Sequence, residues 1–253
     1  MEYNVRLNVF NAAVGFAVVL GISLVTSTIV VSRSVQNRTT ELTKAGRTID
    51  MRGSAKSRVR ADLGVWTIGL REQGPSLQAA YDSVHAATQT TEAYLRDRGF
   101  PETEFQVGPI RTMPIKARNQ SGVELNEVTG YALERWITVT SGDVNRVAQA
   151  ANTVTQLLRE GIQISSNAPE FTYTKLADLR VQILGEAAQD ARVRAEAIVR
   201  QTGGRIGTVR DVRANPIQVT EPNSTDVSGG GRYDTSTIDK DVTAIVNVTF
   251  GIE

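Results

Sequence analysis

Apolar positions follow three patterns along this chain: an unbroken run, alternation at every second residue, and recurrence at three or four. The unbroken run comes first. Residues 7–32 carry no charged side chain, and Phe16, Val18, Leu20, Ile22, Leu24 and Val25 crowd the middle of those 26 positions. A spanning helix needs about 20 mostly apolar residues to cross about 30 Å of hydrocarbon. Arg6 and Arg33 bracket the run, where long cationic side chains reach headgroups. The pattern predicts a single transmembrane helix within residues 1–33, followed by a polar juxtamembrane stalk over 34–50. A cleaved leader is the rival reading. Its best site, Val25-Thr26-Ser27, is poor because Ile29, Val30 and Val31 continue the apolar run beyond it. Gly15 and Gly21 lie six apart and form no GxxxG dimerisation motif.

Alternation takes over at residues 51–71, where Val59, Ala61, Leu63, Val65 and Thr67 share one face and Trp66, Ile68 and Leu70 the other. That spacing predicts one long strand. Gly74-Pro75-Ser76 then opens a helix with Leu77, Tyr81, Val84, Thr88, Thr91 and Leu95 on its apolar stripe and Gly99 as terminator. Strands over 104–116 and 128–140 form a hairpin with a long connection, and Pro109 and Pro114 mark the first as an edge or bulged strand. A helix from Asp143 to Glu160 buries Val144, Val147, Ala151, Val154 and Leu158, with Gly161 ending it. Short extended pieces at 162–165 and 170–174 precede the longest helix of the soluble part, 177–201. Its stripe is Leu179, Ile183, Ala187, Ala191, Ala195 and Ile198. A strand follows at 205–213. Residues 215–239, with Pro216, Pro222 and Gly229-Gly230-Gly231, read as a flexible loop. The clearest alternation closes the chain: Val242, Ala244, Val246, Val248, Phe250 and Ile252 face one way.

The element order argues α+β, a transmembrane helix followed by one domain over 51–253 with helices on one face of a mainly antiparallel sheet. Its first six elements follow the ferredoxin-like order.

Composition narrows the chemistry. The 253 residues include no cysteine and one histidine, which excludes disulfides, thiolate metal sites, thiol nucleophiles and multi-histidine metal sites within one chain. Twenty-eight basic against 27 acidic side chains leave a formal net charge of +1, without the clustered basic surface nucleic acid demands. The positive charge is local, at Arg33, Arg38, Lys44 and Arg47. By the positive-inside rule that cluster leans towards a cytoplasmic domain, whereas a short, weakly charged N-terminus also suits an exporting anchor. His85 has no partner motif and reads as structural or solvated. Glu186, Asp190 and Arg194 share a helix face, more a solvated acid–base row than a cation site. No phosphate loop or GxSxG elbow occurs. The expectation is therefore no enzyme, no catalytic, cofactor-binding or metal residues, and no cofactor.

Several segments resemble the SIMPL domain family: Met51-Arg52-Gly53-Ser54-Ala55 with Arg60-Ala61-Asp62-Leu63-Gly64-Val65-Trp66, and Gly130-Tyr131 leading into Trp136-Ile137-Thr138-Val139. The most specific is Glu186-Ala187-Ala188-Gln189-Asp190-Ala191-Arg192 through Gly203-Gly204-Arg205-Ile206-Gly207, and the terminal 242–250 strand also fits. The resemblance implies a bacterial cell-envelope protein without assigned catalytic residues, associated with ring-like homo-oligomers. The uncleaved-looking anchor departs from many relatives, which carry a cleaved signal; taken with that anchor, the resemblance points to a single-pass protein of the inner membrane with its C-terminal domain extracytoplasmic (periplasmic). Its partners would be the lipid bilayer and further copies of itself, in a structural or stress-related scaffold, with no nucleic acid and no identified small-molecule substrate. The alternative is a ligand- or protein-binding module using a cleft or the 215–239 loop.

Overall fold

The computed structural model describes residues 47–224 and 230–253. The apolar run and the stalk through residue 46 lie outside the described residues, and so do residues 225–229. Among the described residues no helix is long and apolar enough to cross a membrane. The elements are β1 (Thr48–Arg60), β2 (Leu63–Gly74), α1 (Leu77–Asp97), β3 (Phe105–Arg118), β4 (Glu124–Ser141), α2 (Val144–Thr153), β5 (Ile164–Ser166), β6 (Glu170–Thr172), α3 (Leu176–Gln201), β7 (Ile206–Ala214), β8 (Gln218–Thr220), β9 (Arg232–Tyr233) and β10 (Asp239–Ile252). The last three residues assigned to the stalk already belong to β1.

Mixed helices and antiparallel sheets bear out the α+β class, but the single sheet is two. One runs β3-β4-β2-β5, with β6 also pairing β2; the other runs β1-β10-β8-β9, with β7 also pairing β10. The two sheets arise because the long strand expected over 51–71 breaks at Ala61-Asp62. There the Asp62 carboxylate accepts from the Thr174 amide at 2.7 Å and the Thr174 hydroxyl at 2.9 Å, while the Ala61 amide donates to the Ile238 carbonyl at 2.8 Å. An aspartate that bonds outside the ladder favours a turn over a continued strand.

The chain divides into two compact units. The larger comprises Ser54–Ala187 and Ala214–Ile245. In it β2-α1-β3-β4-α2-β5, with sheet order β3-β4-β2-β5, realises the ferredoxin-like arrangement. The core joins Trp66, Ile68, Leu70, Ile137 and Val139 of the sheet to Leu95, Phe100, Val147 and Leu157. Ser76 caps α1 by accepting from the Ala79 amide at 3.2 Å, and Gly99 ends it at φ +83°. The buried stripe of α1 is Ala80, Val84, Ala87, Thr88, Thr91, Tyr94 and Leu95. Leu77 and Tyr81, expected within it, are exposed. The hairpin strands are longer than expected and the connection shorter. The Asn119 side chain closes it by accepting from the amides of Ser121 and Val123 at 3.0 and 2.9 Å.

Asp143 caps α2 as expected, accepting from the Arg146 amide at 3.0 Å. The helix then tightens to a 3-10 turn over Val154–Glu160. At three residues per turn the buried positions fall at Val154 and Leu157, so Leu158 turns outward. The described residues within 215–239 include β8 and β9, and all three residues of β8 are buried and pair with β10.

The smaller unit comprises the described residues through Gly53 with Ala188–Arg213 and Val246–Glu253. Ala191, Ala195 and Val199 of α3 are buried there, and Ile198, expected on the stripe, is half-exposed. A strict four-residue step carries the stripe from Ala195 to Val199. Gly204 brings the end of α3 against β10, since a Cβ there would lie 3.1 Å from Val199 Cγ1 and 3.3 Å from Ile252 Cγ2. Reciprocal bonds between Arg205 and Glu253, at 2.9 and 2.8 Å, start the approach of β7 to β10.

Candidate functional site

The residues weighed for chemistry in the sequence do not converge. His85 is exposed on α1, its ring stacked 6.0 Å from that of Tyr81. Glu186 accepts from Gln182 at 2.9 Å, and Arg194 pairs with Asp190 at 3.0 Å. These are helix-surface partners at four-residue spacing. Among the described residues no three His, Asp or Glu side chains group as a metal would require.

Two buried ionic groups on β10 had no signal in the sequence. Lys240 is 0% exposed and donates to the Asp234 and Thr237 carbonyls and to the Asp234 carboxylate. Burial alone would push the Asp234 carboxyl up, but bonds from Ser236, Thr237 and Lys240 outweigh it and hold the group well below the usual carboxylate range. Asp241 accepts from Arg58 Nε at 2.9 Å, Lys56 Nζ at 3.3 Å and the Asn223 amide at 2.9 Å. The Arg58 guanidinium is the main cause that lowers the Asp241 carboxyl well below its usual range, against its own desolvation. The two groups tie Asn223, Asp234 and Thr237 to the sheet, which is a structural task.

A pH dependence follows. Both carboxyls titrate lower in the folded chain than the roughly 3.9 of an unfolded aspartate. Their stabilisation is therefore complete above that value and is lost as pH falls through the folded-state range. The thermal midpoint should hold from about pH 7 to pH 5 and drop below about pH 4. Asp241→Asn should flatten that drop; an equally steep loss in the variant would assign it to other carboxylates.

The feature that presents chemistry to solvent is Trp136, at the centre of β4. Ile137 and Val139 point into the core, which leaves Trp136 on the outer face with Thr138 and Thr140. Trp136 is 43% exposed. Its neighbours on both sides lack bulk. Gly69 stands directly opposite on β2, and a methyl there would fall 2.5–2.9 Å from Cζ3, Cη2 and Cε3 of the indole. On β3 a bulge between Val107 and Ile110 leaves Gly108-Pro109 across from it, and a Cβ at Gly108 would lie 3.0 Å from the Trp136 carbonyl oxygen. The indole thus rests on bare backbone. A groove of about 430 Å³ opens beside it, lined by Arg71, Glu134, Gln163, Ser165 and Leu158 as well. Arg71 Nε lies 3.7 Å from Glu134 Oε1. Arg71, Glu134 and Arg111 are successive cross-strand neighbours on this face. The alternation Trp136, Thr138, Thr140 against Ile137, Val139 was the signal in the sequence. A larger, more open cavity of about 630 Å³ lies beside β8 and β9, with Arg180, Arg232 and Tyr233. Its lining also includes Gly230 and Gly231.

The model of the SIMPL family, described as protein of unknown function (DUF541), matches residues 49–250. The chain belongs to the SIMPL family. No curated protein matches this SIMPL chain. Among solved structures it is similar to one named "putative aminohydrolase" from methicillin resistant Staphylococcus aureus, at 10% identity and a TM-score of 0.27, over 56% of this chain and 39% of that one. It is also similar to an uncharacterized conserved protein from Listeria innocua, at 11% identity and a TM-score of 0.22, over 78% and 92%. The SIMPL chain thus spans about two fifths of the first structure's length. TM-scores this low carry no argument about its activity.

Proposed function

We propose that this SIMPL protein is a membrane-anchored, extracytoplasmic scaffold that assembles with copies of itself. The anchor reading rests on the uncharged run of residues 7–32 between Arg6 and Arg33. The observation that carries self-assembly is β7. This nine-residue strand pairs only with β10 among the described residues, and seven of its residues are exposed. Val209 and Val212 are 53% and 54% exposed on it. An open strand edge is a template for another strand.

Two copies that join their β7 edges antiparallel about a two-fold axis extend the sheet from one subunit into the next, and each edge contact occurs twice. The exposed Val209 and Val212 flank that seam. Such an isologous contact closes as a two-fold pair, so a ring or cage also needs a second, heterologous contact. Two anchors per pair would make the second membrane insertion effectively intramolecular.

Mass photometry of the detergent-extracted full chain should show dimers or their multiples at micromolar concentration. Val209→Lys with Val212→Lys charges the strand edge and should weaken association by more than about tenfold. A monomeric wild-type chain, or a variant that associates as tightly as the wild type, sinks this reading.

A further inference from the structure

We propose that the Trp136 groove is a binding site for an uncharged pyranose saccharide. The proposal is independent of self-assembly, since β7 takes no part in it.

The case starts from what the indole is doing. A tryptophan in a sheet normally buries most of its surface, because its area is a large hydrophobic payload. Here the core side of β4 is filled by Ile137 and Val139, while Trp136 lies on the outer face with 43% of its surface open. Bulky residues at the facing positions would cover it, but those positions hold Gly69 and the Gly108-Pro109 bulge. The ring therefore lies seated on Gly69 and presents its other surface outward. That is a flat apolar platform, fixed in orientation.

Around the platform the groups are polar and planar. Arg71 and Glu134 stand as a loose pair at 3.7 Å, too long for a strong hydrogen bond, so both retain capacity for a ligand. The Gln163 and Ser165 side chains at the far wall are exposed, and Leu158 extends the apolar floor. A volume of about 430 Å³ lies within the range of small-molecule sites.

The ligand must match an apolar disc ringed by donors and acceptors. A purely apolar ligand would strip water from Arg71, Glu134 and Gln163 without replacing its hydrogen bonds. A cation is disfavoured by Arg71 and Arg111, which flank Glu134 on both neighbouring strands. An anion would meet the Glu134 carboxylate inside the groove. A pyranose fits all three conditions. One of its faces is a patch of C–H groups carrying slight positive charge, which the negative face of an indole attracts. Its hydroxyls radiate in the ring plane, donating to Glu134 and accepting from Arg71, Gln163 and Ser165. Charged planar side chains that bond two adjacent hydroxyls at once supply the directional part of the recognition.

The molecule carries its own reporter. It has two tryptophans, and Trp66 is 1% exposed. Quenching of fluorescence by acrylamide therefore reads Trp136 above a protected background. The test titrates the detergent-extracted full chain with cellotriose and with chitotriose, using choline and a proline-rich peptide as comparison probes. Either trisaccharide should shield Trp136 with half-saturation between about 0.1 and 10 mM. Because Trp136→Ala removes the reporter, its binding is read by saturation-transfer NMR on the sugar protons, which should vanish. Arg71→Gln and Glu134→Gln, which keep the platform, should each weaken shielding by at least about fivefold. Gly69→Ala should also weaken it, by lifting the ring from its seat, with near-UV circular dichroism confirming a folded chain. No shielding by either sugar at about 20 mM overturns the proposal. Sugar binding that survives Trp136→Ala overturns it too, as does shielding by choline or the peptide alone.

Discussion

Replacing Lys240 by methionine should lower the free energy of unfolding by about 3–5 kcal/mol, the scale of breaking a buried ion pair from one side. The ammonium is completely buried in β10 and donates at 2.6 Å to the carbonyls of both Asp234 and Thr237, and at 3.2 Å to Asp234 Oδ2. Methionine keeps the length of the stem and removes every donor. Two carbonyls would then lose this donor, and a carboxylate that is 8% exposed would keep its bonds from Ser236 and Thr237 but lose its counter-charge. Urea unfolding followed by circular dichroism measures the loss. A change under about 1 kcal/mol would mean that water enters and takes over the ammonium's bonds. Adding Asp234→Asn to the methionine variant should recover part of the loss, because the remaining buried charge is then gone.

Trp66→Ala should cost a similar amount, about 3–5 kcal/mol, through loss of burial and the cavity left behind. Trp66 is 1% exposed in the core of the larger unit, and its indole nitrogen donates to Ser166 Oγ at 3.0 Å, fixing β5 against β2. Trp66→Phe keeps most of the volume and drops the hydrogen bond, so it should cost clearly less. Guanidinium unfolding of the three chains gives the order directly. If alanine and phenylalanine cost the same, the hydrogen bond dominates and the cavity argument fails.

The two tryptophans show how far the sequence could be read. Strict alternation put Trp66, Ile68 and Leu70 on one face, and that face is the core. Alternation also separates Trp136 from Ile137 and Val139. What makes a platform of Trp136 is a glycine 67 residues earlier and a bulge on the next strand, and no local pattern encodes that register. The same division runs through the helices. The stripe of α3 is legible because Ile183, Ala187, Ala191 and Ala195 recur at constant spacing. The second half of the helix expected over 143–160 fails at Leu158, because extrapolating a 3.6-residue period cannot foresee a 3-10 turn. Lys240 and Asp241 precede the alternating run that starts at Val242, and no period in the sequence marks them as buried. Their burial comes from Asp234, Thr237, Lys56, Arg58 and Asn223, supplied by a segment whose glycines and prolines read as loop, and by a strand far upstream. β8 is three residues long, too short for any period to show.

The bonds from β1 to Asp241 join residues up to 185 positions apart. On a ribosome β1 emerges early, yet β10, its neighbour in the sheet and the last strand in chain order, emerges after every other element. The β2–β5 sheet can close on locally available partners while synthesis continues, whereas β1, β7 and β8 wait for β10. Long-range pairing of this kind is slow and leaves strand edges open in the interim. The order of synthesis thus divides the molecule into a sheet that folds as it is made and one that can fold only when the chain is nearly finished.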